Sequence, residues 1–265
     1  MSLSAYVNGI GVLGPGLTDW VATSAVLTGA APYVPAATNL PAPDLLPPAE
    51  RRRTGRVVKL AIAVALEAAT RAEENPAELA SIFSSSGGDG HNCHEICATL
   101  AGAECAISPT RFANSVHNAA SGYWSIATSA MAPSNVLCAF DASFCAGLLE
   151  AMTQTSVERR AILLVTYDTE YPAPLNAKRA IPDGFGISLV LAPERSSRSL
   201  AQLSVALTER AAEPMSDPQL EVLRRSIPSA RGLPLLSALA RRRPQETILD
   251  YFEDTRVSVT VDPCV

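Results

Sequence analysis

Past residue 117 the 265-residue chain contains no histidine, and the three it has are His91, His94 and His117. Any chemistry that needs an imidazole donor or base from the later part of the sequence is excluded. Lysine is almost absent as well: Lys59 and Lys178 stand alone among 21 basic residues, the rest being arginine. With a net charge of −5 the chain lacks the basic surplus of a nucleic-acid groove, because phosphate contacts need clustered Lys and Arg. No apolar run reaches the roughly 18–20 residues that cross a bilayer. The start, MSLSAYVNG, has no basic region followed by an apolar core, so no secretory signal is read there. Six cysteines without an export signal read as reduced thiols, and a cytoplasmic protein is expected. No internal repeat and no second C-x-x-C cluster is present, SSSGGDG (84–90) is neither a G-x-G-x-x-G nor a Walker loop, and no cofactor or metal is expected.

What is there is apolar: 48% of the residues are hydrophobic, enough for one substantial core. AYVNGIGVLGPG (5–16) reads as a strand leaving through a Gly-Pro-Gly turn, followed by a helix within 17–30. Residues 32–50 hold six prolines and predict a long surface loop. The Ala-rich stretch 51–74 is apolar around most of its circumference, which predicts a buried helix. ASIFSSSGG (80–88) reads as a strand entering a Gly-rich loop. AILLVTYD (161–168) and GISLVLAP (186–193) are continuous apolar runs, the pattern of strands covered on both faces. Together these predict one α/β domain with a largely parallel sheet. Beyond residue 200 the texture changes to a strand, two short helices at 217–226 and 234–243, and closing strand character.

Cys145 is the first candidate for chemistry. The apolar strand VLCAF (136–140) feeds DASFCAG, and a helix begins at once. A thiol at a helix N-terminus faces unpaired N–H groups and the positive end of the dipole, which favours thiolate. The other reading is a small buried residue that happens to be cysteine. Ser143 shares the turn but lacks the G-x-S-x-G context of a hydrolase elbow, so a turn hydroxyl is the plainer reading. In HNCHEIC (91–97), Cys93 and Cys97 share a helix face with His91 and His94 close by. No further ligand cluster completes a zinc site, and a helix start behind the Gly-rich loop accounts for the motif. SSSGGDG (84–90) could cradle phosphate, but a flexible connection is the plainer reading.

In SPTRFANSVHNAASGYWSIATSA (108–130), Ala120, Trp124, Ala127 and Met131 recur at helical spacing, a stripe for core or interface packing. Asn118 and Ser115 are placed to cap that helix, with His117 a satisfied structural residue. Arg51–Arg53 and Arg241–Arg243 are the basic clusters. They read as solvated helix ends, with steering of an acidic partner as the alternative.

With these residues in view, the chain resembles the beta-ketoacyl synthase-like family, and within it the ketosynthase N-terminal-like or chain-length-factor subunits of bacterial aryl polyene clusters. The matching pieces are AYVNGIGVLGPGL, PPAERRRTGRVVKLA, SPTRFANSVHNAASGYWSIA, DASFCAGLLEA, LLVTYDTEYPAPL and FGISLVLAP. The resemblance implies a thiolase-like fold, here truncated: residues 1–200 form the ketosynthase N-terminal-like domain, and 201–265 a reduced C-terminal extension packed on it. It places Cys145 where ketosynthases keep their nucleophile. The His motifs of the C-terminal half are missing, so donors for the enolate formed on decarboxylation are missing too.

The reading that follows is a noncatalytic chain-length-factor-like subunit. It would pair with a full-length beta-ketoacyl-carrier synthase in fatty-acid or polyketide-type elongation, the complex handling acyl chains on acyl carrier protein. The alternatives are a reduced acyltransferase or thioesterase using Cys145, and a homodimeric scaffold. A lone half-thiolase is expected to leave apolar sheet and helix uncovered. The interface is therefore expected at Trp124, Met131, Val136, Leu137 and Phe140, with the strand before the elbow pairing across a pseudo-twofold axis.

Overall fold

Two glycines on one face of the first strand set the packing of the centre. In the computed structural model, which describes residues 3–103 and 105–264, β1 (Leu3–Leu13) lies against α3 (Arg56–Ala72). A Cβ on Gly9 or Gly11 would fall 2.1 Å from the Ala68 or Val64 carbonyl oxygen. The alanines of α3 (61, 65, 68, 69 and 72, all buried) supply the matching small surface. Between them run α1 (Trp20–Leu27), the proline-rich loop and the single turn α2 (Pro48–Arg51).

The chain continues through β2 (Ala80–Ser84), α4 (Gly90–Ala101), α5 (Pro109–Ala113), α6 (Ala119–Thr128) and β3 (Ser134–Leu137). Then come α7 (Ser143–Glu158), β4 (Ile162–Asp168), α8 (Leu175–Lys178) and β5 (Phe185–Ala192). The last quarter adds β6 (Ala201–Thr208), α9 (Pro218–Ser226), α10 (Leu233–Arg241), β7 (Gln245–Asp250) and β8 (Arg256–Pro263). All eight strands form one sheet in the order β3-β2-β4-β5-β1-β6-β8-β7.

Only β3-β2 and β2-β4 pair in parallel; every other pairing is antiparallel. The largely parallel sheet expected from the apolar runs is therefore corrected. Continuous apolar strands report burial on both faces, not strand direction. In β4, Leu163, Val165 and Tyr167 face one core with α3 and Trp124, while Ile162 and Leu164 face the other with α7.

The second core also takes α1, α9 and α10, which cover β6 and β8 through Leu203, Val205, Val257 and Val259. Arg224 of α9 ties this layer to the sheet, bonding Glu221 at 2.7 Å and also Asp250 of β7. On their opposite face, the added strands carry Gln202, Ser204, Glu246, Thr260 and Asp262, none of them buried. The uncovered apolar sheet expected of a lone half is thus absent there, because alternation has made that face polar.

Of the large exposed apolar side chains, Leu100, Phe112, Val116, Ile126, Met131 and Phe140 fall along the chain between α4 and the elbow after β3. The 108–130 stretch is not one buried helix. α5 and α6 are separate, and α6 ends at Ser129 in a left-handed conformation, so Met131 falls outside it and is 95% exposed. Trp124 has no exposed surface and belongs to the chain's own core with Phe83, Leu163 and Val190. It cannot anchor a partner, and its place among the expected interface residues is withdrawn. An apolar stripe on a helix reports that something covers it, not whose chain does. Of the remaining residues, Val136 and Leu137 lie half-buried on β3, the end strand of the sheet.

Candidate functional site: the strand-to-helix elbow

The apolar strand does not run to Phe140. β3 stops at Leu137, and the chain turns through a short 3-10 segment, Phe140–Ala142, into α7. Phe140 itself has φ 52°, a left-handed conformation that costs a bulky residue about 1–3 kcal/mol. It is the elbow residue, five positions before Cys145.

Neighbours hold the strained turn from both sides. The Ser143 Oγ accepts from the Ala139 N–H at 3.0 Å and donates to the Phe140 carbonyl at 2.7 Å. In turn the Ser84 hydroxyl donates to the Ser143 carbonyl at 2.7 Å. Ser143 is buried, and its proton is committed to backbone, so it is a turn clasp and not a nucleophile. Above the elbow lies the segment joining β4 to β5. Arg179 places its guanidinium carbon 3.7 Å from the Phe140 ring centroid and bonds Asp141 at 2.5 Å and the Tyr171 hydroxyl at 3.3 Å. Arg231 reaches the same Asp141 at 3.2 Å. Tyr171 fits because Gly87 and Gly90 have no side chains; a Cβ on Gly87 would lie 2.2 Å from its hydroxyl.

Cys145 lies inside α7 with no exposed surface, packed in the core that also holds Phe144 and Leu148. Burial pushes its pKa far up, the Asp250 charge adds to the rise, and Arg231 opposes it only in part. The expectation of a thiolate favoured by the helix N-terminus is corrected: desolvation of the anion outweighs the dipole. A thiol reagent at pH 8 is expected to modify the exposed Cys93, Cys97, Cys105 and Cys138 in the folded protein and to reach Cys145 only after denaturant is added. Peptide mapping of the labelled chain checks this; rapid native labelling of Cys145 would contradict it.

The other sequence candidates resolve into structure. Among the described residues no group of three or more His, Cys, Asp or Glu is placed to hold a metal ion. In the Gly-rich loop the Ser86 N–H is bound by Asp168 and the Gly88 N–H by the Ser85 hydroxyl, so those donors are not free for phosphate. Asn118 makes no side-chain cap on α6, the Ser115 hydroxyl donates to the Phe112 carbonyl, and the His117 Nε2 is buried without a hydrogen-bond partner among the described residues. Neither the capping nor the satisfied histidine expected there is found. Arg51 and Arg53 pair with Asp44 and Glu50, whereas Arg241–Arg243 are exposed at the end of α10.

Asp141, Tyr171, Arg179 and Arg231 were not legible as site residues, since they come from three distant segments with no motif spacing. Phe140 carried a readable signal, the break between the last apolar strand residue and the helix start, but the strand was read three residues too long.

A sheet whose parallel strands end at a strained elbow, with a helix starting on it and helices on both faces, defines a thiolase-like α/β protein. The chain belongs to the beta-ketoacyl synthase N-terminal domain family, whose model matches residues 27–247. No match is found among curated proteins.

Solved structures share the fold. A chain of the ketosynthase (ApeO) in complex with its chain length factor (ApeC) from Xenorhabdus doucetiae aligns with TM-score 0.74 at 22% identity, covering 97% of this chain and 99% of that one. The ishigamide ketosynthase/chain length factor aligns with TM-score 0.74 at 14% identity, over 99% and 100% of the two chains. A beta-ketoacyl synthase from Burkholderia phymatum STM815 gives TM-score 0.71 at 10% identity, over the whole of both. At such identities the likeness is one of fold.

Proposed function

We propose that this protein is a noncatalytic, chain-length-factor-like subunit that pairs with a full-length ketosynthase in fatty-acid or polyketide-type chain elongation, of the aryl polyene kind. The observation that carries the reading is the elbow. At the turn where the strand hands over to α7 the strained residue is Phe140, a side chain that is no nucleophile and cannot be acylated. Cys145, the nearby thiol, is sealed in the core, which removes the support for an acyltransferase or thioesterase built on it. No histidine follows residue 117 to stabilise an enolate.

Pairing is supported by the apolar side chains exposed between α4 and Phe140 and by the short end strand β3 beside them. Complexes of a ketosynthase with its chain length factor, and of a ketosynthase with its acyl-carrier protein, share this fold and are consistent with both partners. In this arrangement the partner contributes the condensing thiol and the histidines, and the acyl chain rides on carrier protein.

The test is reconstitution. The purified single chain, given an acyl primer and malonyl-carrier, is expected to form no ketoacyl product, while the complex with a ketosynthase from the same cluster elongates. Cys145→Ala in the complex is expected to retain activity to within about tenfold, or 1.4 kcal/mol of barrier. Product from the single chain, or a larger loss in an intact complex, would return Cys145 to catalysis.

A further inference from the structure

We infer that the elbow has become a docking wedge. Phe140 is a pre-positioned aromatic anchor for the partner ketosynthase, and Arg179 is the residue that positions it. This rests on the pairing proposed above and assigns it a specific contact. The ring is 59% exposed although the backbone beneath it is strained, a combination that a merely structural residue does not need. One face is occupied by the Arg179 guanidinium at 3.7 Å. Arg179 is itself fixed by Asp141 and Tyr171, so the ring is held at one orientation before any partner arrives. An aromatic side chain immobilised in advance loses little further entropy on binding, which is how interface anchors concentrate affinity.

The occupant is argued from what this chain fails to supply. The three cavities described, of about 1500, 330 and 530 Å³, are lined by other residues, and none includes Phe140. More than half of Phe140 stays uncovered on this subunit, which leaves its surface for another protein to cover. Exposed Met131 and half-buried Val136 and Leu137 extend the apolar surface along β3. Two arginines, Arg179 and Arg231, share one carboxylate, Asp141, which leaves one positive charge at the rim. The surface that fits is an apolar pocket edged by a carboxylate.

The experiment measures affinity for a full-length ketosynthase from the same cluster by titration calorimetry, alongside thermal midpoints of the free chain. Phe140→Ala is expected to weaken binding by about 30-fold or more, which is about 2 kcal/mol. Phe140→Gly relieves the left-handed backbone, so it is expected to raise the midpoint while losing affinity to the same extent. These opposite movements separate docking from misfolding. Arg179→Ala is expected to lose about fivefold in the wild-type background and clearly less than that in Phe140→Ala, where only its rim charge is left to lose, the coupling of a positioning residue. Binding unchanged within twofold for both Phe140 variants, with wild type binding normally, overturns the wedge alone. A wild-type chain that binds no ketosynthase overturns the pairing and the wedge together.

Discussion

Asp168→Ala is expected to lower the unfolding free energy by about 3–5 kcal/mol, because it leaves two buried backbone donors unpaired at once. The carboxylate ends β4 in a buried position and collects donors from two segments. Oδ1 accepts from the Ser86 N–H at 2.9 Å and its hydroxyl at 2.6 Å, while Oδ2 accepts from the Ser229 N–H at 2.8 Å. It thereby fixes the Gly-rich loop after β2 against the turn that introduces α10. Burial pushes the Asp168 pKa above the ordinary carboxylate value, and the Ser86 and Ser229 donors pull it back only in part. The charge is therefore not ideal, and Asp168→Asn, which keeps an acceptor without it, is expected to cost roughly half as much. For a chain of this size the alanine variant should melt about 8–15 °C lower, read by calorimetry. A shift of less than about 3 °C would mean that water enters and satisfies the two N–H groups. Because the Ser86 carbonyl also accepts from Cys138 at 3.2 Å, the loop held by Asp168 backs the elbow itself.

How far the sequence carried depends on which physical signal each feature leaves. Strands and helices left strong ones: the apolar runs at 161–168 and 186–193, the Ala-rich helix and the helices near 217–226 and 234–243 all lie where patterning placed them. Strand direction leaves none, so β4 and β5 were read as parallel although they pair antiparallel. The elbow was misplaced by five residues because VLCAF is apolar throughout, and only backbone geometry marks Phe140 as the turn. Trp124 was taken for an interface anchor because one helix face cannot tell an intramolecular cover from a partner. The cover is the chain's own, since α6 packs on α3, β2 and β3. The Arg179, Arg231 and Asp141 cluster joins residues 38 and 90 positions apart, which no local pattern encodes.

Gly9→Ala combined with Gly11→Ala is expected to abolish the folded state, although each change adds a single methyl group. The strand advances about 6.6 Å over two residues, and one turn of helix with a little more advances about 6 Å over four. The two glycines therefore face successive turns of α3, Gly9 at Ala68 and Ala72, Gly11 at Val64 and Ala68. Each new Cβ would meet a helix carbonyl oxygen at 2.1 Å, and backbone cannot swing aside as the tip of a side chain can. Relief requires α3 to lift by more than 1 Å from β1, opening contacts along Leu60, Val64 and Ala68 in a core packed without slack. Either single change should cost several kcal/mol, at or beyond the upper end of overpacking penalties of about 1–3 kcal/mol. The comparison that isolates the cause is Gly122→Ala on the exposed side of α6, where nothing lies within 4 Å of the added atom. There the same methyl group should stabilise by about 0.5–1 kcal/mol, since alanine loses less backbone freedom in a helix. Circular dichroism and thermal melts of the three proteins give the test. If the Gly9/Gly11 double variant melts within a few degrees of wild type, α3 does not rest on β1 as closely as these contacts require. The Ala-rich face of the helix would then need another explanation.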